Sequence, residues 1–467
     1  MSFDSPAYLL FLPAAVLLHW ALPPRYRWAA LLGASYVFYA GWNAALSLLI
    51  LFVTGCSYLA GLLLERTDSQ RARRLILVGA LTVCLGLLAY FKYFNLLGQT
   101  VASIFGGEWR LIRIVLPVGV SFYTFQALSY VIDVYRRRMQ AERHFGYYAL
   151  YISFFPQLVA GPIERASGLL SQLRQDRQWN RDDLSAGLRL LLSGYFRKIV
   201  IADLAASFVN AVFAAELPDG SAVCAAVLLF SLQIYCDFSG YSEIAMGSAR
   251  LLGIRLLRNF DRPYGAADIR DFWRRWHISL TRWFTDYVYI PLGGSKKGLA
   301  RQMLATIAVF SLCGLWHGAA WSYVLWGLMH ACFLNLYTLR KRLWPALRPG
   351  LWERVLTLCA VSFSWLFFRA GDTSRALLLT GQLFSVWNLA AGTQLLLSAG
   401  PLDVSPAVLL LLLAGGLLLL YKLPALTAEA PPHCPDAVWV GLLLALCLAA
   451  LIRMDSGTAS AFIYFQF

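Results

Sequence analysis

The segment AALSLLILFVTGCSYLAGLLL, residues 44–64, contains no Asp, Glu, Lys or Arg. A helix crosses the hydrocarbon core of a bilayer with about 20 mainly apolar residues, so this stretch reads as a membrane span. Its flank agrees, since Glu65 and Arg66 follow at once and Arg71, Arg73 and Arg74 come soon after. Upstream, the apolar run Tyr8 to Leu22 has no Lys or Arg before it and no small-residue cleavage site, and Arg25 and Arg27 come after it. It therefore reads as a signal anchor with its N-terminus outside the cytoplasm, not as a cleaved leader. Further apolar runs lie at 28–40, 75–96, 111–133, 146–160, 185–213, 221–236, 303–316, 319–339, 355–369, 375–395, 404–423 and 437–452. Several are too short to span alone. The expectation is an all-α polytopic membrane protein with about ten to twelve transmembrane helices plus re-entrant or interfacial ones. A single integral-membrane domain over 1–467, with an aromatic tail at 458–467, is expected.

Composition points the same way. Of 467 residues, 59% are hydrophobic and 14% charged, against about 25% charged in ordinary globular proteins. The mean hydropathy is +0.60. Sixteen Trp, 23 Tyr and 29 Phe suit the aromatic belts at membrane interfaces. Forty Lys and Arg against 25 Asp and Glu give a net charge of +15, which in a soluble protein would suggest nucleic acid. Here the basic residues punctuate apolar runs and form no stripe on a polar domain, so no nucleic-acid partner is expected. The clusters Arg25/Arg27, Arg66/Arg71/Arg73/Arg74 and Arg136/Arg137/Arg138 share the cytoplasmic side if 28–64 is a hairpin turning near Gly41-Trp42-Asn43. Nine scattered Cys without a CxxC read as buried thiols. The lack of an internal repeat weakens a two-halved transporter, and the lack of GxSxG, P-loop and HExxH removes serine-hydrolase, NTPase and zincin chemistry.

Ionisable residues within apolar sequence mark candidate sites. In CGLWHGAAWSYVLWGLMHA, residues 313–331, His317 sits between Trp316 and Gly318. A neutral imidazole there can take a proton from a hydroxyl and return it to a leaving group, as acyl transfer requires; it can equally be a packing histidine. Gly314 and Gly318 allow a helix or ligand to approach the backbone. His330, 13 residues on, would lie about 220° round a continuous helix and face elsewhere, and it reads as structural. Cys313 and His317 find no second pair to complete a metal site, so no metal is expected. From Arg255 to Arg301 ten basic residues outnumber four acidic ones, interleaved with Trp273, Trp276, Trp283 and Phe284. A helix holding Arg274, Arg275 and Arg282 among indoles would lie in the headgroup plane, as a plain anchor or as the mouth of a site for a phosphate-bearing ligand. His277, within it, either meets His317 or anchors that helix. Asp237 and Glu243 read as partners of an Arg on a neighbouring helix. Tyr464, in the terminal AFIYFQF, is either part of an interfacial anchor or a nucleophile that needs a base such as His317.

The segments SFYTFQALSYVIDVYR (121–136), FFPQLVAGPIER (154–165), YCDFSGYSEIAMG (235–247), NFDRPY (259–264), DFWRRWHISLTRWFTDYVYIPLGGS (271–295), GLWHGAAW (314–321), SWLFFRA (364–370) and FIYFQF (462–467) together resemble the membrane-bound O-acyltransferases. The likeness is to the bacterial branch that O-acetylates envelope polysaccharides such as alginate, and it spans most of the chain from about residue 115. It implies a ring of helices around a central tunnel, with acetyl-CoA entering from the cytoplasm and an acceptor on the far side. His317 matches the family's catalytic histidine and His277 its second, more variable polar position. Arg274, Arg275, Arg282, Trp276 and Trp316 are the expected donor-binding residues. The resemblance further implies a multi-pass protein of the bacterial inner membrane that passes the acetyl group to a periplasmic or membrane-tethered SGNH-type transferase, with Tyr464 as transient carrier. The remaining alternatives are a non-enzymatic polysaccharide or lipid-linked-sugar transporter, and an acyltransferase acting on peptidoglycan, lipid or protein.

Overall fold

The computed structural model describes residues 1–159, 161–346, 349–385, 387–398 and 441. The runs expected at 404–423 and 437–452, and the tail with Tyr464, lie outside the described residues. Among the described residues all regular structure is helical, and five helices are long and apolar enough to cross a membrane: Ser47–Arg66, Gln70–Ile104, Gly220–Leu251, Leu299–His317 and Leu351–Ala370. The all-α, multi-pass membrane reading holds. The chain divides into two compact units, residues 1–191 with 244–257 and residues 192–243 with 258–467.

The first unit runs α1 Pro6–Ala21, α2 Pro24–Ala40, α3 Ser47–Arg66, α4 Gln70–Leu88, α5 Phe94–Ile104, α6 Val120–Tyr135, α7 Phe145–Ser153, α8 Phe155–Leu158, α9 Ala166–Leu173 and the start of α10 Arg181–Tyr195. α2 and α3 are joined at the expected place by a turn in which Asn43 Oδ1 accepts from Ala45 N at 3.0 Å. α3 presents Leu48, Leu59 and Leu63 outward and buries Thr54, Ser57, Ala60 and Gly61. That is the lipid-out, small-and-polar-in arrangement of a membrane helix, and Gly61 gives the room that the Tyr130 ring occupies. The cationic cluster after α3 lies in the first turn of α4 and is not wholly solvated. Arg73 is buried and donates to the Leu64, Thr67, Val134 and Tyr135 carbonyls, satisfying the open C-terminal ends of α3 and α6. The run expected at 111–133 is helical only from Val120, because Pro117 disfavours helical geometry in its neighbour and Gly119 turns the chain at φ 73°.

In the second unit a π-turn, Phe196–Ala202, links α10 to α11 Asp203–Ala214. α12 Gly220–Leu251 follows, in the second unit as far as Glu243, and its 32 residues outrun the expected 221–236 and carry Asp237 and Glu243 inside one helix. Then come α13 Ile269–Arg275, α14 Ile278–Phe284, α15 Leu299–His317, α16 Trp321–Leu343, α17 Leu351–Ala370, α18 Thr373–Leu383 and α19 Leu389–Ser398. The expected ion pairing of Asp237 and Glu243 is present and broader than a single Arg. Arg197 meets Glu243 at 3.2 Å, and Lys198 bridges Asp203 at 2.8 Å and Asp237 at 2.9 Å.

α15 and α16 form a tight antiparallel pair whose approach is set by glycine. A methyl group on Gly327 would collide with the Phe310 carbonyl oxygen, and one on Gly314 with that of Tyr323. Gly327→Ala is therefore expected to destabilise by roughly 1–3 kcal/mol, the usual cost of overpacking. Gly381→Ala, on α18 with open space around it, should be neutral or slightly stabilising. Thermal midpoints of the detergent-purified variants check this, and equal midpoints would remove the close-approach argument.

Candidate active site

α15 ends on His317, and Gly318 follows in extended geometry with its N–H returning to the Gly314 carbonyl. The imidazole, 4% exposed, is enclosed by aromatic rings: Trp316 at 4.9 Å, Trp326 at 5.1 Å and Phe368 at 5.2 Å between centroids. His277 lies 6.4 Å away, with the Trp316 ring 5.7 Å from it, and packs on Phe238 at 4.7 Å. The structure thus brings His277, His317 and Trp316 together in one buried group.

His277 reaches that place through a backbone device. The expected continuous helix over Arg274, Arg275 and Arg282 is broken between α13 and α14, where His277 adopts φ 43°, ψ 54°. The break is held by the NFDRPY segment: Asp261 N donates to the Arg275 carbonyl and Ile278 N to the Asn259 carbonyl, both at 2.9 Å. Asn259 also accepts from Ser279 Oγ at 2.6 Å and donates to Ser242 Oγ at 3.3 Å. A non-glycine residue held left-handed in a buried site stores strain that surrounding bonds must sustain, a pattern concentrated at functional sites. The break also replaces the single expected helix with two short ones. Trp273, Trp276 and Trp283 are buried, and Trp276 stacks on Phe272 at 5.5 Å and leans on Trp365 at 5.0 Å, so these indoles are core. Of the three arginines, Arg275 is half-buried and pairs with Asp271 at 3.0 Å, while Arg274 and Arg282 are exposed on either side of His277.

His330 also belongs to this cluster, contrary to the continuous-helix argument that turned it away. The chain reverses between α15 and α16, and Trp326, one turn before His330 on α16, touches both histidines. Ser364 Oγ gives its hydrogen to the Val361 carbonyl at 2.7 Å, so it accepts from His330 Nε2 at 2.9 Å. His330 Nδ1 then accepts from the Trp273 indole at 3.3 Å. Both nitrogens are committed, which leaves His330 a structural residue, as its sequence setting suggested. Trp326, Phe368 and Ser364 had no assigned role from sequence. The four-residue spacing of Trp326 and His330, which puts them on one helix face, was the available signal. Among the described residues no group of three or more His, Cys, Asp or Glu gathers as metal ligands would.

Together these residues can do base chemistry away from water: an imidazole in an apolar enclosure, a second histidine beside it, and exposed guanidinium groups flanking the turn. The chain is similar to known proteins over most of its length. Residues 140–380 match the model of the membrane-bound O-acyltransferase family. The chain is 34% identical to a probable alginate O-acetylase of Pseudomonas putida over the full length of both. It is 33% identical to a peptidoglycan O-acetyltransferase of Helicobacter pylori, covering 80% of this chain and 78% of the relative. It is 26% identical to a teichoic acid D-alanyltransferase of Bacillus subtilis, covering 54% and 67%. A non-enzymatic transporter is thereby set aside: the chain belongs to the membrane-bound O-acyltransferase family and is a multi-pass membrane O-acyltransferase.

Proposed function

We propose that the protein takes an acetyl group from acetyl-CoA at the cytoplasmic face of the bacterial inner membrane and delivers it, through a periplasmic or membrane-tethered SGNH-type transferase, to an alginate-type exopolysaccharide. The observation that carries this reading is the convergence of His317 and His277 across Trp316 in a buried aromatic enclosure. His317 takes the proton of an acceptor hydroxyl as its oxygen attacks the thioester carbonyl carbon. The C–S bond then breaks, and the imidazolium returns the proton to the departing sulfur, leaving an ester and free CoA. Exclusion of water by the surrounding rings protects the acyl group from hydrolysis. Arg274 and Arg282, exposed beside the histidine turn, suit the phosphates of the donor, with Lys296 and Lys297 exposed further along. The alginate acceptor is favoured by the full-length likeness to the Pseudomonas putida protein; peptidoglycan is the second reading, favoured by the Helicobacter pylori relative.

The test is the fate of labelled acetyl-CoA in membranes of cells with and without the gene. Gene-dependent release of CoA and label in purified alginate support the reading. Label in peptidoglycan moves it to the second acceptor, and CoA release that is independent of the gene removes it. Tyr464 as carrier makes a sharper prediction. After incubation with acetyl-CoA in the absence of the partner, the C-terminal peptide should carry an acetyl ester that is missing from Tyr464→Phe, and that variant should label polymer at background level. A Tyr464→Phe protein that acetylates polymer normally ends the carrier step.

A further inference from the structure

Trp326 is 0% exposed, yet its indole N–H has no hydrogen-bond partner among the described residues. A buried donor left unmade is destabilising by roughly 1–3 kcal/mol and calls for an explanation. Its neighbour Trp273 has none of this strain, since its N–H is taken by His330. The Trp326 ring is also firmly placed. It stacks on Trp365 at 5.6 Å and 19°, meets Phe368 at 5.2 Å and His330 at 4.9 Å, and stands edge-on to His317 at 5.1 Å and 89°. The residue after it, Gly327, is pressed against the Phe310 carbonyl, which fixes the backbone beneath the ring.

An unpaired donor, rigid, dry and one ring-width from the candidate base, has the attributes of a group that stabilises developing negative charge. Such donors act most strongly where water is excluded and no reorganisation is needed. Acyl transfer requires a place for a reacting carbon near both the base and an oxyanion donor. We propose that Trp326 is a further catalytic residue, whose indole N–H donates to the thioester carbonyl oxygen as the acceptor hydroxyl, held by His317, attacks the carbon. The carbonyl π electrons move onto that oxygen, the indole hydrogen bond holds them there, and they return as the C–S bond breaks. The proton travels from hydroxyl to His317 to sulfur, and Trp326 keeps its own.

The inference rests on the proposed role of His317, and the experiment separates the two. Trp326 is replaced by phenylalanine and, by suppression of a stop codon, by β-(3-benzothienyl)alanine, which keeps the indole shape but has sulfur in place of N–H. In membranes supplied with saturating labelled acetyl-CoA, both variants should lose about 10²-fold in transfer rate, as loss of one oxyanion donor does. The KM for acetyl-CoA and the thermal midpoint of the benzothienyl variant should stay at parental values. The benzothienyl variant transferring at the parental rate overturns the inference, because a packing tryptophan or one bound to a stray water would be indifferent to the change. His317→Ala is run alongside. If it is inactive while the benzothienyl variant is fully active, only the donor role of Trp326 fails; if His317→Ala is fully active, both roles fail.

Discussion

His317→Ala is expected to reduce acyl transfer by roughly 10²–10⁴-fold, the range general-base catalysis contributes, with the protein still folded in the membrane. The expectation of a folded variant comes from where His317 sits. It is the last residue of α15, and the glycine contacts that set the α15–α16 approach, Gly314 on Tyr323 and Gly327 on Phe310, do not involve its side chain. Alanine is compatible with a helix end, and of the rings bounding the cavity it leaves, Trp326 keeps its contact with Trp365, and Phe368 keeps its contacts with Trp365 and Tyr323. His277 should behave differently. Its left-handed backbone penalises a side chain with a branched or bulky Cβ and tolerates Asn or Gly. His277→Gly is therefore expected to keep the turn and His277→Val to lose it, and a difference in thermal midpoint between them separates backbone strain from imidazole chemistry. Measured as acetyl incorporation at equal membrane abundance, a His317→Ala protein of unchanged rate would remove the base from the scheme.

The membrane character of the chain was legible because it is a property of composition and run length. Residues 44–64 need no tertiary information to be recognised, and the place of the α2–α3 turn followed from the interruption between two apolar runs. Where reading failed, a non-local contact decided the outcome. Periodicity over 271–284 suggests one helix, and nothing local reveals that Asp261 and Asn259, from an earlier loop, take up the Arg275 carbonyl and the Ile278 N–H and force His277 left-handed. The separation of His317 from His330 assumed helix continuity through Gly318, and reversal of the chain there reversed the conclusion. Both histidines of the candidate site were nameable from sequence, but their meeting was not, since it depends on the break that places one of them. Trp326 was invisible for another reason: nothing local in the sequence tells a packing indole from one buried beside His317 with its N–H unspent.

Loss of a single charge from the buried network of the second unit should strongly destabilise the protein. Arg197, with a side chain 2% exposed, meets Glu243 at 3.2 Å and donates to Ser239 Oγ at 3.0 Å, while Ser193 donates to Glu243 at 2.8 Å. Lys198, 1% exposed, is shared by Asp203 and Asp237. The π-turn makes this possible by presenting two consecutive cations to α12, where Gly240 admits the Gly194 carbonyl and the Lys198 N–H at close range. Taking two charges out of water is expensive, so such a pair adds little net stability over apolar residues, but removing one member strands the other. Arg197→Met should therefore destabilise by roughly 3–5 kcal/mol, and Lys198→Met, which leaves two carboxylates facing each other, by at least as much. The double variant Arg197→Met/Glu243→Leu removes both charges and should regain most of the loss, giving a strongly non-additive cycle. Denaturation midpoints of the parent, Arg197→Met, Glu243→Leu and the double variant in one detergent measure the coupling. A double variant as unstable as the sum of its singles would mean that each residue acts independently, through its packing or its serine partner, and that the ion pair is incidental to the fold.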